Sequence, residues 1–326
     1  REPSSMKNIL RTPDSNFEEL DDFLYEPKFH QWQGCRVHYI DEGERNAPIM
    51  LLLHGMPTWG YLYRKMIPKL VEAGFRCIVP DHLGFGRSDK PADPVFYTIA
   101  RHTEILTSLI TELDLKKITL VCQDWGGPIG LAQAVYMPER FSRLAIMNTW
   151  LHHPEYQYSE AIKKWNMNWQ ENGLFSVEEP DIAALLLISS GILGPKEAIP
   201  WIIHGKQLTI DKHAMKMYRG FKAPYKGMPS SVFNAFRAFP LSICHYDYHR
   251  GNGAAQTYFF QQLLNWSKPA HFIWGCADDI FTEDWGRAWA KKMNATFNPI
   301  KEAGHFLQNT HGETVVELLL NEISKE

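Results

Sequence analysis

The sequence predicts an α/β fold, a mostly parallel sheet flanked by helices, with a helical cap inserted into it. Short apolar runs alternate with amphipathic stretches along most of the chain, the rhythm of a buried parallel sheet covered by helices. Several runs end at a polar or glycine-rich junction, as in Leu53-His54-Gly55 and Cys122-Gln123-Asp124. The rhythm then breaks between residues 152 and 228, where tryptophans, tyrosines and prolines become frequent and strand-like runs vanish.

Strands are expected at Val37–Ile40, Ile49–Leu53, Cys77–Pro80, Ile118–Cys122, Leu144–Met147, Phe272–Gly275 and Thr296–Ile300. In the interruption, the spacing of Ile162, Trp165 and Trp169 is helical. This divides the chain into a core of residues 1–151 and 229–326 and a cap of residues 152–228. The 326 residues exceed the roughly 100–200 of a typical domain, but suit one large α/β domain with an insertion. In an open α/β sheet, ligands bind at the carboxyl ends of the strands, so the junctions are where chemistry is expected.

Composition narrows the function. With 44% hydrophobic and 22% charged residues and a net charge of −3, the chain reads as an ordinary globular protein. Its basic residues are scattered, which argues against a nucleic-acid partner. The longest apolar runs, such as Ile49–Leu53 and Ile182–Ile188, fall far short of the ~20 residues that cross a bilayer. The first residues are polar and lack the apolar core of a secretion signal. Cys35, Cys77, Cys122, Cys244 and Cys276 are odd in number and widely spaced, which suits neither a disulfide framework nor a zinc site. A reducing, cytoplasmic setting is the simplest expectation. No phosphate-cradling loop is present, since Gly84-Phe85-Gly86 lacks the third glycine. No cofactor and no metal are expected.

One turn stands out. Cys122-Gln123-Asp124-Trp125-Gly126 follows a buried run and precedes a helix-like stretch from Pro128 to Tyr136. This is the small-x-nucleophile-x-small form of the nucleophile elbow, with aspartate where a serine esterase carries serine. Asp124 could simply cap the following helix. As a nucleophile, its carboxylate would suit displacement at an sp³ carbon, leaving an ester that water can cleave. A hydrolase of this architecture needs an acid and then a histidine further along, in that order. Asp278 lies three residues beyond Gly275, and His305 sits in Glu302-Ala303-Gly304-His305-Phe306 after the last strand-like run. His305 would be the general base and Asp278 its orienting partner, with Asp279 a rival for that role.

Around these positions the chain resembles the haloalkane dehalogenases of the α/β-hydrolase superfamily, in the branch with two halide-binding tryptophans. The resemblance runs through Arg11-Thr12-Pro13-Asp14, His38-Tyr39-Ile40-Asp41-Glu42-Gly43 and His54-Gly55-Met56-Pro57-Thr58-Trp59. It continues through Gly84-Phe85-Gly86-Arg87-Ser88-Asp89-Lys90-Pro91, Gln123-Asp124-Trp125-Gly126-Gly127, Ala223-Pro224-Tyr225 and Ala303-Gly304-His305-Phe306. It implies that Asp124 displaces halide from a small haloalkane to give an alkyl-enzyme ester. His305, oriented by Asp278, then activates water, and alcohol, halide ion and a proton leave.

The resemblance also implies an oxyanion hole made by the backbone N–H groups of Met56 and Trp125. Relatives often carry Glu or Asn at the position of Met56, a change that a backbone donor survives. Trp125 and one cap tryptophan would bind the halide through their indole N–H groups. Trp169 fits the spacing best, and Trp165, four residues earlier on the same helical face, is the other candidate. Ile280 and Phe281 are expected to line an apolar pocket. A monomer or small homo-oligomer is expected.

Two other functions compete. An epoxide hydrolase shares the Asp-His-Asp set but needs a cap acid, normally a tyrosine, and Tyr218 and Tyr225 are available. A non-catalytic ligand-binding protein on this scaffold would tend to lose part of the triad, whereas all three positions are filled here.

Overall fold

A computed structural model of the chain describes residues 8–192 and 212–326. Ten strands are described: β1 Ile9–Leu10, β2 Lys28–Trp32, β3 Cys35–Glu42, β4 Ile49–Leu53, β5 Arg76–Pro80, β6 Lys90–Pro91, β7 Ile118–Gln123, β8 Phe141–Met147, β9 Ala270–Gly275 and β10 Thr296–Ile300. Eight of them form one sheet in the order β10-β9-β8-β7-β4-β5-β3-β2, and β1 pairs with β6 separately. The stretch from β4 through to β10 is parallel, while β3 runs antiparallel to β5 and β2 antiparallel to β3. This is the α/β-hydrolase sheet that the sequence predicts.

All seven expected strands are present. Every residue of β4, β7 and β9 is buried. A parallel strand covered on both faces reads as a continuous apolar run, which made these three easy to find. Burial of each such Val, Leu or Ile side chain contributes roughly 1.5–3 kcal/mol. The edge strand β2 was not expected. Its sequence Lys-Phe-His-Gln-Trp mixes polar and aromatic residues, and only His30 is fully buried. It is set by a two-residue turn to β3 in which Gln33 and Gly34 both have positive φ, the hairpin geometry that matches strand twist.

Register brings the chemistry to one edge. Leu53 pairs with Cys122, Cys122 with Ile146, and Ile146 with Phe272. The segments that leave β4, β7, β8 and β9 at their carboxyl ends therefore converge. These are His54–Met56, Asp124–Trp125, Asn148–Trp150 and Cys276–Phe281.

No strand is described between residues 152 and 228, which instead hold helices Glu160–Trp169, Ile182–Ser189 and Lys212–Lys222. Ser159 caps the first by accepting from Ile162 N, and Asp181 caps the second by accepting from Ala184 N. The Ile182–Ser189 helix is apolar on nearly every side and buries Ile182 through Leu187, as expected of a helix enclosed by neighbours. We propose 152–228 as the cap, although the next strand does not begin until Ala270 and further helices fill the interval.

Candidate active site

Asp124 occupies the tip of the turn between β7 and helix Gly126–Tyr136, at φ 55°. A left-handed backbone at a non-glycine residue is costly, and such strain clusters where geometry serves chemistry. Close packing holds the turn. A Cβ at Gly126 would lie 2.6 Å from the Leu53 carbonyl oxygen, and one at Gly55 would collide with the Asp124 carboxylate. Backbone bonds finish the clamp. Asp124 N donates to Asn148 O at 2.9 Å, and Thr149 Oγ1 donates to Asp124 O at 2.6 Å.

Asp124 is 8% exposed, and its carboxylate points at two donors. Met56 N donates to Oδ2 at 2.9 Å, and His305 Nε2 lies 3.1 Å from Oδ1. Position 124 also precedes a helix N-terminus, whose dipole favours an anion. The loop that carries Met56 is braced by His54: its Nδ1 donates to Gly55 O at 2.7 Å, and its Nε2 accepts from His82 N at 3.0 Å. Burial holds the His54 ring below its ordinary pKa, so it stays neutral and can play both parts.

Behind His305, Nδ1 donates to Asp278 Oδ2 at 2.8 Å. The other oxygen, Oδ1, accepts from Ile280 N at 2.8 Å. Asp279, the rival acid in the sequence, is exposed, while Asp278 is buried. Gln123 ties the histidine loop to β7 by donating from Nε2 to His305 O at 2.9 Å. Burial alone would lower the proton affinity of the His305 ring, but the carboxylates of Asp278 and Asp124 outweigh it and hold the pKa up at about 10. Flanked by two carboxylates, the ring is biased towards its protonated form.

A cavity of about 80 Å³ opens over this group. Its walls are mainly apolar: Ile162, Leu185 and Leu186 from 152–228, with Ile243, Ile280, Phe281 and Phe306 from the remainder. Asp124, His305 and the three indoles of Trp125, Trp150 and Trp165 also face it. Trp165 therefore reaches the cavity wall. Trp169, 3% exposed, is not among the lining residues but packs edge-on against Trp165 with ring centres 5.6 Å apart. Trp150 was not expected. It lies edge-on to Trp125 at 4.6 Å and stacks on Phe281 at 4.8 Å, and its place just past the carboxyl end of β8 was the available clue. Asn148 was also missed; it hydrogen-bonds to both the acid and the turn. Tyr218 and Tyr225 lie elsewhere: Tyr218 OH donates to Asp181 Oδ2 at 2.7 Å, and Tyr225 OH accepts from Gly86 N at 3.2 Å.

Among the described residues no cluster of His, Cys, Asp or Glu could hold a metal ion, and no helix is long and apolar enough to cross a membrane.

Residues 48–177 match the family model of the alpha/beta hydrolase fold. With the sheet and the strand-end site, this defines the chain as an α/β hydrolase carrying aspartate at the tip of its strand-to-helix turn. A haloalkane dehalogenase of Psychrobacter cryohalolentis is 38% identical over 96% of this chain and 97% of its own length. The solved structure of a tetrameric haloalkane dehalogenase from Paraglaciecola agarilytica superposes with a TM-score of 0.80 at 31% identity, covering 96% of this chain and 98% of that one. The chain belongs to the haloalkane dehalogenase family. A further relative, the cis-3-alkyl-4-alkyloxetan-2-one decarboxylase of Shewanella oneidensis, is 42% identical over 91% of this chain and 88% of its own.

Proposed function

We propose that this protein hydrolyses small haloalkanes to alcohol, halide and a proton through a covalent ester on Asp124. The observation that carries the reading is the connected set Asp124–His305–Asp278 beneath an apolar cavity. Asp124 attacks the halogen-bearing carbon in line, forming a C–O bond as the carbon–halogen bond breaks. The departing halide gains hydrogen bonds from indole N–H groups in a pocket that otherwise excludes water. Trp125 and Trp165 both line the cavity, whereas Trp169, whose buried indole N–H has no hydrogen-bond partner among the described residues, stands behind Trp165. Their position favours Trp165 over Trp169 as the second halide ligand.

Esterification removes the Asp124 charge, one of the two that keep His305 protonated. The ring then sheds its proton more readily and becomes the base that activates water. Water attacks the ester carbonyl carbon, the oxyanion takes the Met56 N–H, aided in our reading by that of Trp125, and collapse returns free Asp124 with the alcohol. Cavity walls without charged side chains beyond the triad suit a neutral substrate.

A second reading is favoured by the 42% identity to the oxetanone decarboxylase. Attack by Asp124 on the ring carbon bearing oxygen would open a β-lactone to an ester and a free carboxylate. Loss of carbon dioxide from that carboxylate would then expel Asp124 and leave an alkene, with no water consumed. Epoxide hydrolysis is less well served, because the Tyr218 and Tyr225 hydroxyls are engaged outside the cavity. A purely ligand-binding role leaves the complete triad unexplained.

The test is a side-by-side assay of purified protein on 1-bromobutane, a cis-3,4-dialkyl-oxetan-2-one and styrene oxide. Bromide release supports dehalogenation. Carbon dioxide without bromide would replace it with the second reading, and diol alone would replace both.

A further inference from the structure

The segment leaving β8 holds a residue that touches both ends of the triad. Asn148 is fully buried at φ 28°. Its side-chain Nδ2 donates to Asp278 Oδ2 at 3.0 Å and to Gly275 O at 2.9 Å, while its Oδ1 accepts from Gly275 N at 2.8 Å. Its backbone carbonyl accepts from Asp124 N at 2.9 Å. One residue thus fastens the nucleophile turn with its main chain and the acid loop with its side chain.

We propose that Asn148 is a positioning residue that divides the Asp278 carboxylate between itself and His305, and so limits how tightly the acid holds the ring's proton. This deepens the hydrolytic reading of the site and rests on it. Oδ2 of Asp278 has two donors, His305 Nδ1 at 2.8 Å and Asn148 Nδ2 at 3.0 Å. A carboxylate oxygen shared between two donors stabilises each less than it would alone. Oδ1 is committed to Ile280 N, so the carboxylate cannot turn to give His305 a fresh oxygen without breaking a buried bond.

The division matters in the ester state, where Asp124 is neutral and Asp278 is the charge left to retain the proton. If the acid held it too firmly, the ring could not act as base. The charged groups facing His305 are Asp124 from the β7 turn and Asp278 from the β9 loop. Tyr156, near Asp278, is kept neutral by burial, which raises its pKa.

The test uses the full chain carrying Asp124→Asn, whose uncharged amide stands in for the neutral ester. Histidines are labelled with ¹⁵N, and the His305 signal is identified by its loss in His305→Gln. Its titration is compared with and without Asn148→Leu, which removes the donor, and with Asn148→Ser, whose shorter hydroxyl cannot replace it. Asn148→Ser also leaves room for water beside Gly275 should the leucine variant fail to fold. The expected result is a His305 pKa about half to one unit higher once the donor is gone. A purely structural role would leave it where it was, and an unmoved titration in a folded variant overturns the proposal. Because no substrate is present, absent bromide release by the parent protein would count against the dehalogenase reading alone.

Discussion

Nε2 of His305 lies 3.1 Å from Oδ1 of Asp124, although the two residues are 181 positions apart in the chain. The contact lets the charge of one group set the protonation of the other. The Asp124 charge favours the protonated ring, and the esterification proposed above would remove that support. In the proposed cycle the same imidazole would be held protonated before alkylation and freed to act as a base after it.

The first expectation concerns pH and stability. The His305 pKa is raised to about 10 in the folded protein, against about 6.5 in an unfolded chain. The stabilisation is therefore complete below about pH 6.5 and is lost as pH rises towards 10. Thermal melts across this window should show Tm falling with pH more steeply in the parent than in Asp124→Asn, which lacks one of the two supporting charges. Identical slopes in the two proteins would mean that the contact does not hold the proton.

Trp165 and Trp169 can be separated by deleting one atom group from each. Trp165→Phe keeps an aromatic ring on the cavity wall but removes the N–H. A hydrogen bond to a charged partner is worth roughly 1.5–3 kcal/mol, so bromide should bind about ten- to a hundredfold more weakly. Trp169→Phe should change bromide affinity little. Fluorescence quenching by bromide measures both, and the reverse ranking would restore Trp169 as the ligand.

Gly55 is held to glycine by the nucleophile itself, since a Cβ there would collide with the Asp124 carboxylate. Gly55→Ala should displace the carboxylate and lower kcat roughly hundredfold or more, as misplacement by about an ångström commonly does. The change is local, so Tm should fall by only a few degrees. Turnover at the parent rate would show that the turn has slack the geometry does not suggest.

Much of this was legible in the sequence, and the remainder was hidden for identifiable reasons. The central strands announce themselves because burial on both faces leaves them no polar positions. Strand β2 escaped because an edge strand is built from residues such as Lys28 and Gln31 that read equally well as loop. Asp124, Asp278 and His305, which the fold brings into one hydrogen-bonded set, could be grouped from the sequence because the tight turn after β7 constrains its neighbours and the strand ends constrain the rest. Asn148 and Trp150 follow β8 in the same way, but no motif flags an asparagine that acts through its side-chain amide. Helical spacing placed Trp165 and Trp169 on one face, yet four residues of separation say nothing about which ring reaches the cavity. That depends on how helix Glu160–Trp169 packs over the strand ends, a tertiary property.

The most direct measurement uses His305→Gln, in which Asp124 can still be alkylated but water has no base. After exposure to 1-bromobutane, intact-mass and peptide analysis should find one butyl group per chain, on the peptide carrying Asp124. An unmodified Asp124 in that variant, while the parent protein releases bromide from the same substrate, would contradict the covalent route at its root.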